Sequence, residues 1–152
     1  MEDQLLGQHE VRIDERGRLR LPAALVQRHA DDGNGRFVLR KGLDQCLTLY
    51  PMSAWNAESR RVMLLDDFLD DERRFKRMFF YSAQDVTVDA NGRIQMPKKL
   101  AGLAGIDRDV VILGVGKHYE IWDRETHEAD LGDLGDLAAL AQGIYGKRNQ
   151  RA

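Results

Sequence analysis

A nine-residue motif occurs twice in this chain of 152 residues, and it constrains the fold more than any other feature. The first copy, DERGRLRLP, begins at Asp14, and the second, DANGRIQMP, begins at Asp89. Asp, Gly-Arg and Pro recur at matching positions, and apolar residues stand between them in both copies. A repeat of this kind indicates that one supersecondary unit is present twice. The chain is therefore predicted to consist of two related halves.

Each copy of the motif is followed by a second shared pattern. The segments FVLRKGLDQCLTLYP and VVILGVGKHYEIWD both contain an apolar strand, a turn with glycine and a second strand. The repeated unit is therefore about fifty residues long. A unit of that size buries a small fraction of its surface, so we expect each half to need the other half or a second subunit to complete a core.

The single cysteine, Cys46, excludes intrachain disulfide bonds as a source of stability. It lies beside Leu47 and is interpreted as a buried apolar residue rather than a nucleophile. The N-terminal segment lacks the basic and apolar regions of a signal peptide. No apolar run approaches the length of about 18 residues that a membrane span needs. These features predict a cytoplasmic protein without membrane association.

The repeat divides the chain into four predicted regions. They are a first domain at 8–54, a helical connection at 55–82, a second domain at 83–126, and a C-terminal helix and tail at 127–152. The helix of the connection is expected to run from about Met52 to Phe80, with Ser53 as its cap. The candidates for a buried stripe on it are Trp55, Met63, Leu65, Phe68, Leu69, Phe75, Met78 and Phe79.

The C-terminal region also has a helical pattern of apolar residues, weakened by two glycines. The apolar positions are Leu131, Leu134, Leu137, Ala141 and Ile144, and the glycines are Gly132 and Gly135. Both this stripe and that of the connection are interpreted as core packing, with a subunit interface as the alternative.

Alternation of apolar and polar residues predicts two short strands around the first motif, joined as a hairpin. Counting by twos places one set of side chains in the core and the other outside. The predicted core set is Val11, Ile13, Leu19 and Leu21, with Val86, Val88, Ile94 and Met96 in the second half. The predicted outer set is Arg12, Arg18 and Arg20, with Thr87, Arg93 and Gln95 in the second half. Pro22 and Pro97 each suit the start of a short helix.

The motif combines residues that shape a turn with one that a turn does not require. Asp14 and Asp89 can accept hydrogen bonds from backbone N–H groups two or three residues on, and a glycine can take a positive φ. Arginine after the glycine has no such role. At the end of a strand, Arg18 or Arg93 could bind phosphate or the O6 and N7 atoms of guanine. An ion pair with the aspartate that stiffens the loop is the alternative, and the residues alone do not decide between the two.

Charge is distributed unevenly along the chain. The net charge of −2 argues against a uniformly basic protein, but five arginines lie between Val11 and Arg28 against Asp14 and Glu15. The segment DDFLDDE is followed directly by RRFKR. That pair of segments is interpreted as a solvated helix with its own ion pairs.

Patterns that would indicate an enzyme or a metal protein are weak. GVGKH at Gly114 to His118 lacks both the preceding glycine and the following Ser or Thr of a phosphate loop. The four histidines are scattered, without the spacing of metal ligands. We therefore expect no catalysis, no metal, no cofactor and no small-molecule substrate.

Five segments in order carry a resemblance to a known family: DERGRLRLP, LTLYPMSAW, RRFKRMFFYSA, DANGRIQMP and VVILGVGKHYEIWD. With them, nearly the whole chain resembles the MraZ transcriptional regulators, which carry two SpoVT-AbrB (AbrB-type) halves, each with a D-x-x-x-R motif. The resemblance implies an α+β, mainly β fold. In it, two tandem swapped-hairpin halves form a β-barrel, with an inter-repeat helix and a C-terminal helix.

The same resemblance implies a function. It predicts a repressor of the division and cell-wall gene cluster that binds repeated promoter elements in double-stranded DNA. It also predicts a ring-shaped homo-oligomer in the cytoplasm, associated with the nucleoid. The alternative is an AbrB-type antitoxin that binds a toxin partner.

Carried onto this sequence, the DNA-contacting motif falls on Asp14 and Arg18 and on Asp89 and Arg93. The basic residues usual after the first proline are replaced here by Ala23 and Ala24. That departure moves the expected contacts of the first half to Arg16, Arg18 and Arg20. The second half keeps Lys98 and Lys99, and Arg18 is expected to contribute more than Arg93.

Overall fold

The computed structural model describes residues 4–132 and 136–151. Within these ranges the chain forms eight strands and six helices. The strands are β1 Gln8–Arg12, β2 Arg18–Arg20, β3 Arg36–Lys41, β4 Leu47–Pro51, β5 Gln84–Thr87, β6 Arg93–Gln95, β7 Asp109–Gly114 and β8 Tyr119–Asp123. The helices are α1 Ala23–Arg28, α2 Met52–Met63, α3 Asp70–Tyr81, α4 Lys98–Leu103, α5 Arg124–Leu131 and α6 Asp136–Arg151. The fold is α+β and mainly β, as the sequence predicts.

The two halves exchange strands within one antiparallel sheet. The six-stranded sheet has the order β1-β7-β8-β4-β3-β5, and β2 and β6 form a separate two-stranded ribbon. The second shared pattern gives the hairpins β3–β4 and β7–β8, as predicted. The prediction of a β1–β2 hairpin is wrong. Strand β1 pairs with β7 and β2 with β6, so both partners come from the second half.

This exchange is reciprocal, as a swapped-hairpin fold requires. Strand β1 of the first half pairs with β7 of the second half, and β5 of the second half pairs with β3 of the first half. The hairpins meet at β4 and β8 in the middle of the sheet. The edge strands β1 and β5 lead through short loops into the ribbon strands β2 and β6, so sheet and ribbon enclose a common core.

The core is built from both halves at once. Leu19 and Ile94 are opposite each other in the ribbon and fully buried, and the sheet contributes residues such as Leu49 and Ile121. Six of the eight residues predicted as the core side of the first strands are buried members of this core, and the other two, Val11 and Val88, are partly buried and pack against it. Cys46 is buried, and burial raises the pKa of its thiol to about 12, which agrees with an apolar role.

Short helices follow both prolines, beginning at Ala23 and Lys98. The connection between the halves is two helices rather than one, because the chain leaves the helix at Leu64 and re-enters it at Asp70. Ser53 does not cap α2 with its own side chain. Its backbone N–H and hydroxyl instead donate to the carboxylate of Asp32, at 3.1 Å and 2.7 Å.

The predicted buried stripe of the connection is mostly wrong. Phe79 is buried, whereas most of the other candidates are exposed, and Phe68 is 93% exposed. The exposed members are Met63, Phe68, Leu69, Phe75 and Met78. Periodicity identifies an apolar face correctly, but it does not show whether the same chain covers that face.

The C-terminal region also forms two helices, α5 and α6. The apolar side chains of Leu131, Leu137 and Ile144 are exposed and Ala141 is half-buried, so this stripe is not core packing either. Leu134 and Gly135 lie outside the described residues. In the part of the chain that is described, no helix is both long and apolar enough to cross a membrane.

Candidate nucleic-acid interface

The first motif folds into a loop organised by one carboxylate. Asp14 Oδ1 accepts hydrogen bonds from the backbone N–H groups of Arg16 and Arg18, at 2.9 Å and 2.8 Å. Its Oδ2 accepts one from Arg18 Nε at 2.8 Å. Gly17 has φ +77°, a conformation that side chains resist. The loop therefore needs both the aspartate and the glycine to hold the arginine in one orientation.

The second motif repeats this geometry. Asp89 Oδ1 accepts from the backbone of Asn91 and Arg93, at 2.8 Å and 2.9 Å, and its Oδ2 lies 3.1 Å from Arg93 Nε. Gly92 also has φ +77°. The two loops are equivalent in structure as well as in sequence.

These contacts lower the pKa of both aspartates. At Asp14 the largest cause is the hydrogen bond from the backbone N–H of Arg18, and at Asp89 it is the bond from that of Arg93. Hydrogen bonds that favour the charged form of a carboxyl lower its pKa. Both aspartates are therefore ionised at neutral pH, opposite their arginines.

The structure contains the ion pair that was one of the two alternatives left open by the sequence. The ion pair inside each loop exists, but it uses Nε and leaves the outer edge of the guanidinium unused. In the described part of the chain, no hydrogen bond reaches the Nη atoms of Arg18 or Arg93. Their side chains are 28% and 21% exposed. Each arginine is therefore held through Nε by its aspartate, and among the described residues its Nη atoms have no hydrogen-bond partner.

The ribbon places Arg18 and Arg93 on one face, toward its opposite ends. In the register of β2 and β6, Arg18 is opposite Gln95 and Arg20 is opposite Arg93. Leu19 and Ile94 point into the core, so these four polar residues share the outer face. We call them the ribbon face. Side chains directly opposite in an antiparallel pair have Cβ atoms about 4.5–5.5 Å apart, and like charges at that distance are destabilising.

Two hydrogen bonds tie the ribbon face to the loops. Arg20 Nη1 donates to the carbonyl of Asn91 at 2.6 Å, and Gln95 Nε2 donates to the carbonyl of Arg16 at 2.9 Å. Arg20 and Gln95 occupy equivalent positions in the two motifs, as do Arg16 and Asn91. Each strand of the ribbon therefore braces the loop of the other half. Gln95 was not among the sequence-predicted site residues, although its equivalence to Arg20 was visible in the repeat.

The remaining predicted site residues lie near one end of the ribbon. Arg16 is exposed in the first loop, and Lys98 is exposed at the start of α4. Lys99 is also exposed, and its Nζ contacts the Tyr81 hydroxyl and lies 3.6 Å from the centroid of that ring. The Met96 N–H donates to the Gly17 carbonyl at 2.9 Å, which places the start of α4 beside the first loop.

The GVGKH segment connects two strands of the sheet. It forms the turn between β7 and β8, where Gly116 exchanges backbone hydrogen bonds with Leu5 at 2.8 Å and 3.0 Å. His118 is half-buried, with its ring centroid 5.4 Å from that of Tyr50.

Comparison with known sequences identifies related proteins. A sequence model of the MraZ protein family, whose description also carries the label antitoxin-like, matches residues 5–78 and 79–133. The chain is 38% identical over 128 residues to transcriptional regulator MraZ of Christiangramia forsetii, covering 84% of this chain and 83% of the relative. It is 41% identical over 124 residues to the Thermomicrobium roseum protein of the same name, covering 82% and 84%. The chain is 39% identical over 120 residues to transcriptional regulator MraZ of Syntrophomonas wolfei, covering 79% of this chain and 81% of the relative. The two matched segments and these relatives show that the chain belongs to the MraZ family.

Proposed function

We propose that this protein is a transcriptional regulator that binds double-stranded DNA in a sequence-specific manner, and that it acts as a repressor. The observation that carries the proposal is the ribbon face, on which three guanidinium groups lie together on two paired three-residue strands. Arg20 is directly opposite Arg93, and Asp89 pairs with only one of these two cations, so a further anion above them would stabilise the pair. The polyanionic backbone of DNA supplies such anions.

The dimensions of the ribbon favour a groove of duplex DNA. The major groove is about 12 Å wide and accepts a two-stranded β-ribbon. Arg18 and Arg93 begin the two antiparallel strands, so they lie toward opposite ends of the ribbon. Their unused Nη donors suit either a phosphate or the O6 and N7 atoms of guanine. Asp14 and Asp89 orient these arginines before DNA arrives, which lowers the entropy lost on binding.

The names of the relatives support a role in transcription. All three are called transcriptional regulators, and we infer the same role here, acting by binding rather than by catalysis. Those names do not favour the antitoxin alternative. The target we propose is the division and cell-wall gene cluster, through repeated promoter elements, in a cytoplasmic protein associated with the nucleoid. The proposed domains remain 8–54 and 83–126, joined by 55–82 and followed by 127–152.

Self-association is the second part of the proposal. Large apolar side chains are exposed around the α2–α3 connection and again on α6. The first group includes Leu64, Phe68, Leu69, Phe75 and Met78, and the second includes Leu137, Leu140, Ile144 and Tyr145. Two different apolar surfaces on one chain suit a head-to-tail contact, which gives a ring when the rotation closes. Several ribbon faces on one ring would bind successive DNA repeats with an avidity gain of about 10²–10⁴.

Binding to DNA from upstream of the protein's own gene tests this proposal. We expect retardation of that fragment at protein concentrations that leave a scrambled fragment of equal length free. We also expect the affinity to fall steeply with salt, because each phosphate contact releases about one counterion. Equal affinity for both fragments at every salt concentration would contradict a sequence-specific regulator.

A further inference from the structure

The two ends of the ribbon differ in the position of their cations although the fold is symmetric. The first end consists of the first loop, and α4 begins beside it. It carries Arg16, Lys98 and Lys99. At the second end the equivalent positions are Asn91, Ala23 and Ala24. Three differences act the other way: Glu15 stands where the second loop has Ala90, and the second end has Arg20 and Arg28 where the first has Gln95 and Leu103. The repeat makes the two ends equivalent in backbone, but their cations occupy different positions, in the loop and at the start of the helix only at the first end.

Backbone contacts at the entrance to each loop also bring different residues close to the two loops. The Ile13 N–H donates to the Arg108 carbonyl at 2.8 Å, just before the first loop. At the second loop the matching bond runs from the Val88 N–H to the Gly35 carbonyl at 2.9 Å. An exposed arginine therefore flanks the first loop, where a glycine flanks the second.

Helix α3 extends the positive surface of the first end. Phe79 is buried, so residues two positions before and after it lie on the opposite, outward face of a helix with 3.6 residues per turn. That face carries Arg77 and Tyr81, with Arg74 one turn earlier. Tyr81 is the residue that Lys99 contacts. The contact joins the outward face of α3 to the start of α4, and hence to the first end of the ribbon.

The cations of α3 fall into two classes. Arg73 is paired with Asp70 at 2.6 Å, and Lys76 with Asp67 at 2.8 Å. Arg74 and Arg77 are exposed, and among the described residues neither has an ion-pair partner. The expected pairing of acidic and basic segments is therefore only partial. The two unpaired arginines are those on the face that leads to Lys99.

We propose that Arg74, Arg77, Lys98, Lys99 and Arg16 form one phosphate-binding track on duplex DNA, which flanks the bases under the ribbon on one side only. This inference rests on the proposed function and specifies which surface contacts the DNA backbone. At 1.5 Å per residue, Arg77 and Arg74 lie about 6 Å and about 10 Å along α3 from Tyr81. That spacing lets the track reach several phosphates of one strand. Contacts of this kind add affinity and fix orientation without reading sequence.

The test is a salt titration of DNA binding by the Arg74→Gln/Arg77→Gln variant of the full-length protein. Loss of two phosphate contacts reduces the slope of log K against log salt concentration by about 1.8. Raising salt from 50 to 200 mM would then weaken the wild type by about 12-fold more than the variant. The ratio of affinities for upstream and scrambled DNA should stay unchanged, because the lost contacts are to phosphate.

The Lys147→Gln/Arg148→Gln variant is the matched control. It removes the same charge from exposed positions of α6, and its slope should equal that of the wild type. Lys98→Gln/Lys99→Gln is a second test variant on the same track, and it should lower the slope in the same way. Thermal unfolding and gel filtration of each variant confirm that fold and assembly are retained.

The outcomes separate this inference from the proposed function. If both track variants keep the wild-type slope while the Arg18→Ala/Arg93→Ala variant no longer binds upstream DNA, the track is refuted and the proposed regulatory function is retained. If the control lowers the slope as much as the track variants do, binding follows net charge alone, and the track is again refuted. If wild type shows no preference for upstream DNA, the proposed function itself fails.

Discussion

Asp14 and Asp89 each perform two tasks at the scale of a single residue. One oxygen closes the loop by accepting two backbone N–H groups, and the other holds an arginine through Nε. In a loop that we propose to bind DNA, an acidic residue repels phosphate, so its presence requires a structural reason. The reason here is that it fixes the direction of the Nη donors.

Replacing Asp14 by alanine tests this interpretation against simple electrostatics. Removal of a negative charge would by itself strengthen binding to DNA. We expect Asp14→Ala to weaken binding to upstream DNA by about tenfold, equivalent to about 1.4 kcal/mol, because Arg18 loses its orientation and two N–H groups lose their acceptor. Fluorescence anisotropy with labelled DNA measures the change.

Glu15→Ala is the control for this prediction. Glu15 is exposed in the same loop, and its removal changes the charge equally without removing these contacts. Its affinity should equal or exceed that of the wild type. If Asp14→Ala binds as tightly as Glu15→Ala, the positioning role is incorrect.

In the ribbon, we expect the arginines that favour DNA binding to lower the stability of the fold. Arg20 and Arg93 are directly opposite, whereas the other pair is Arg18 with the neutral Gln95. Both Arg20 and Gln95 donate to a loop carbonyl of the other half. Glutamine at position 20 could therefore keep the bracing contact without the repulsion.

We expect Arg20→Gln to stabilise the fold by about 0.2–1 kcal/mol, the usual size of a cross-strand pair effect, and to weaken DNA binding. Chemical denaturation measures the first effect and gel retardation the second. A variant that is less stable than the wild type would contradict repulsion between Arg20 and Arg93. A variant that binds DNA equally well would contradict a role of Arg20 in binding.

The strands themselves were predictable from the sequence, but their partners were not. Alternation around Leu19 and Ile94 identifies two short strands and their inner sides correctly. Because the two motifs share one alternating pattern of apolar and polar residues, the pattern of β2 suits pairing within its own half as well as with β6. Sequence periodicity describes one strand at a time, whereas the exchange depends on how both halves share one core.

The candidate site, too, was only partly predictable from the sequence. Asp, Gly and Arg at fixed spacing were enough to predict the loops, whereas Arg18 and Arg93 became candidate site residues through the resemblance to the MraZ family. The sequence did not show that Arg20 lies opposite Arg93, because that neighbour relation arises only from the exchanged pairing. Nor did it show that Tyr81 contacts Lys99. The exposed apolar residues of the connection were misassigned because periodicity identifies an apolar face without showing whether the same chain covers it.

At the scale of the whole molecule, a buried histidine joins the two halves. His29 Nε2 and the Tyr119 hydroxyl form a hydrogen bond of 2.9 Å, from the end of α1 to β8. Burial lowers the pKa of His29 below its usual value of 6.5, and it also lowers that of His118. As pH falls through 6.5 the unfolded chain therefore takes up protons before the native protein does.

Stability should consequently be greatest above pH 6.5 and decrease as pH falls from there toward the native-state pKa values. We expect His29→Gln to flatten this decrease, leaving the part due to His118. Denaturant unfolding at pH 7.5 and 5.5 gives the comparison. An equally steep loss in the variant would show that His29 does not contribute.

Assembly is also a property of the whole molecule. Phe68 is 93% exposed and Leu64 is 86% exposed in the isolated chain, and we expect a neighbouring subunit to cover them. Leu64→Ser/Phe68→Ser should lower the molecular mass in solution, measured by light scattering during gel filtration. Leu43→Ser alters a residue that is 83% exposed at the β3–β4 turn and should leave the mass unchanged. A double variant with the mass of the wild type would place the interface elsewhere.

The central claim is that two guanidinium-bearing loops, one from each half, bind DNA together. Retardation of upstream DNA by wild type and by Arg18→Ala/Arg93→Ala, with equal thermal stability verified first, tests it most directly. We expect the double variant to lose this binding, and Arg18→Ala alone to lose more of it than Arg93→Ala. Equal retardation by the wild type and a correctly folded double variant would contradict the claim.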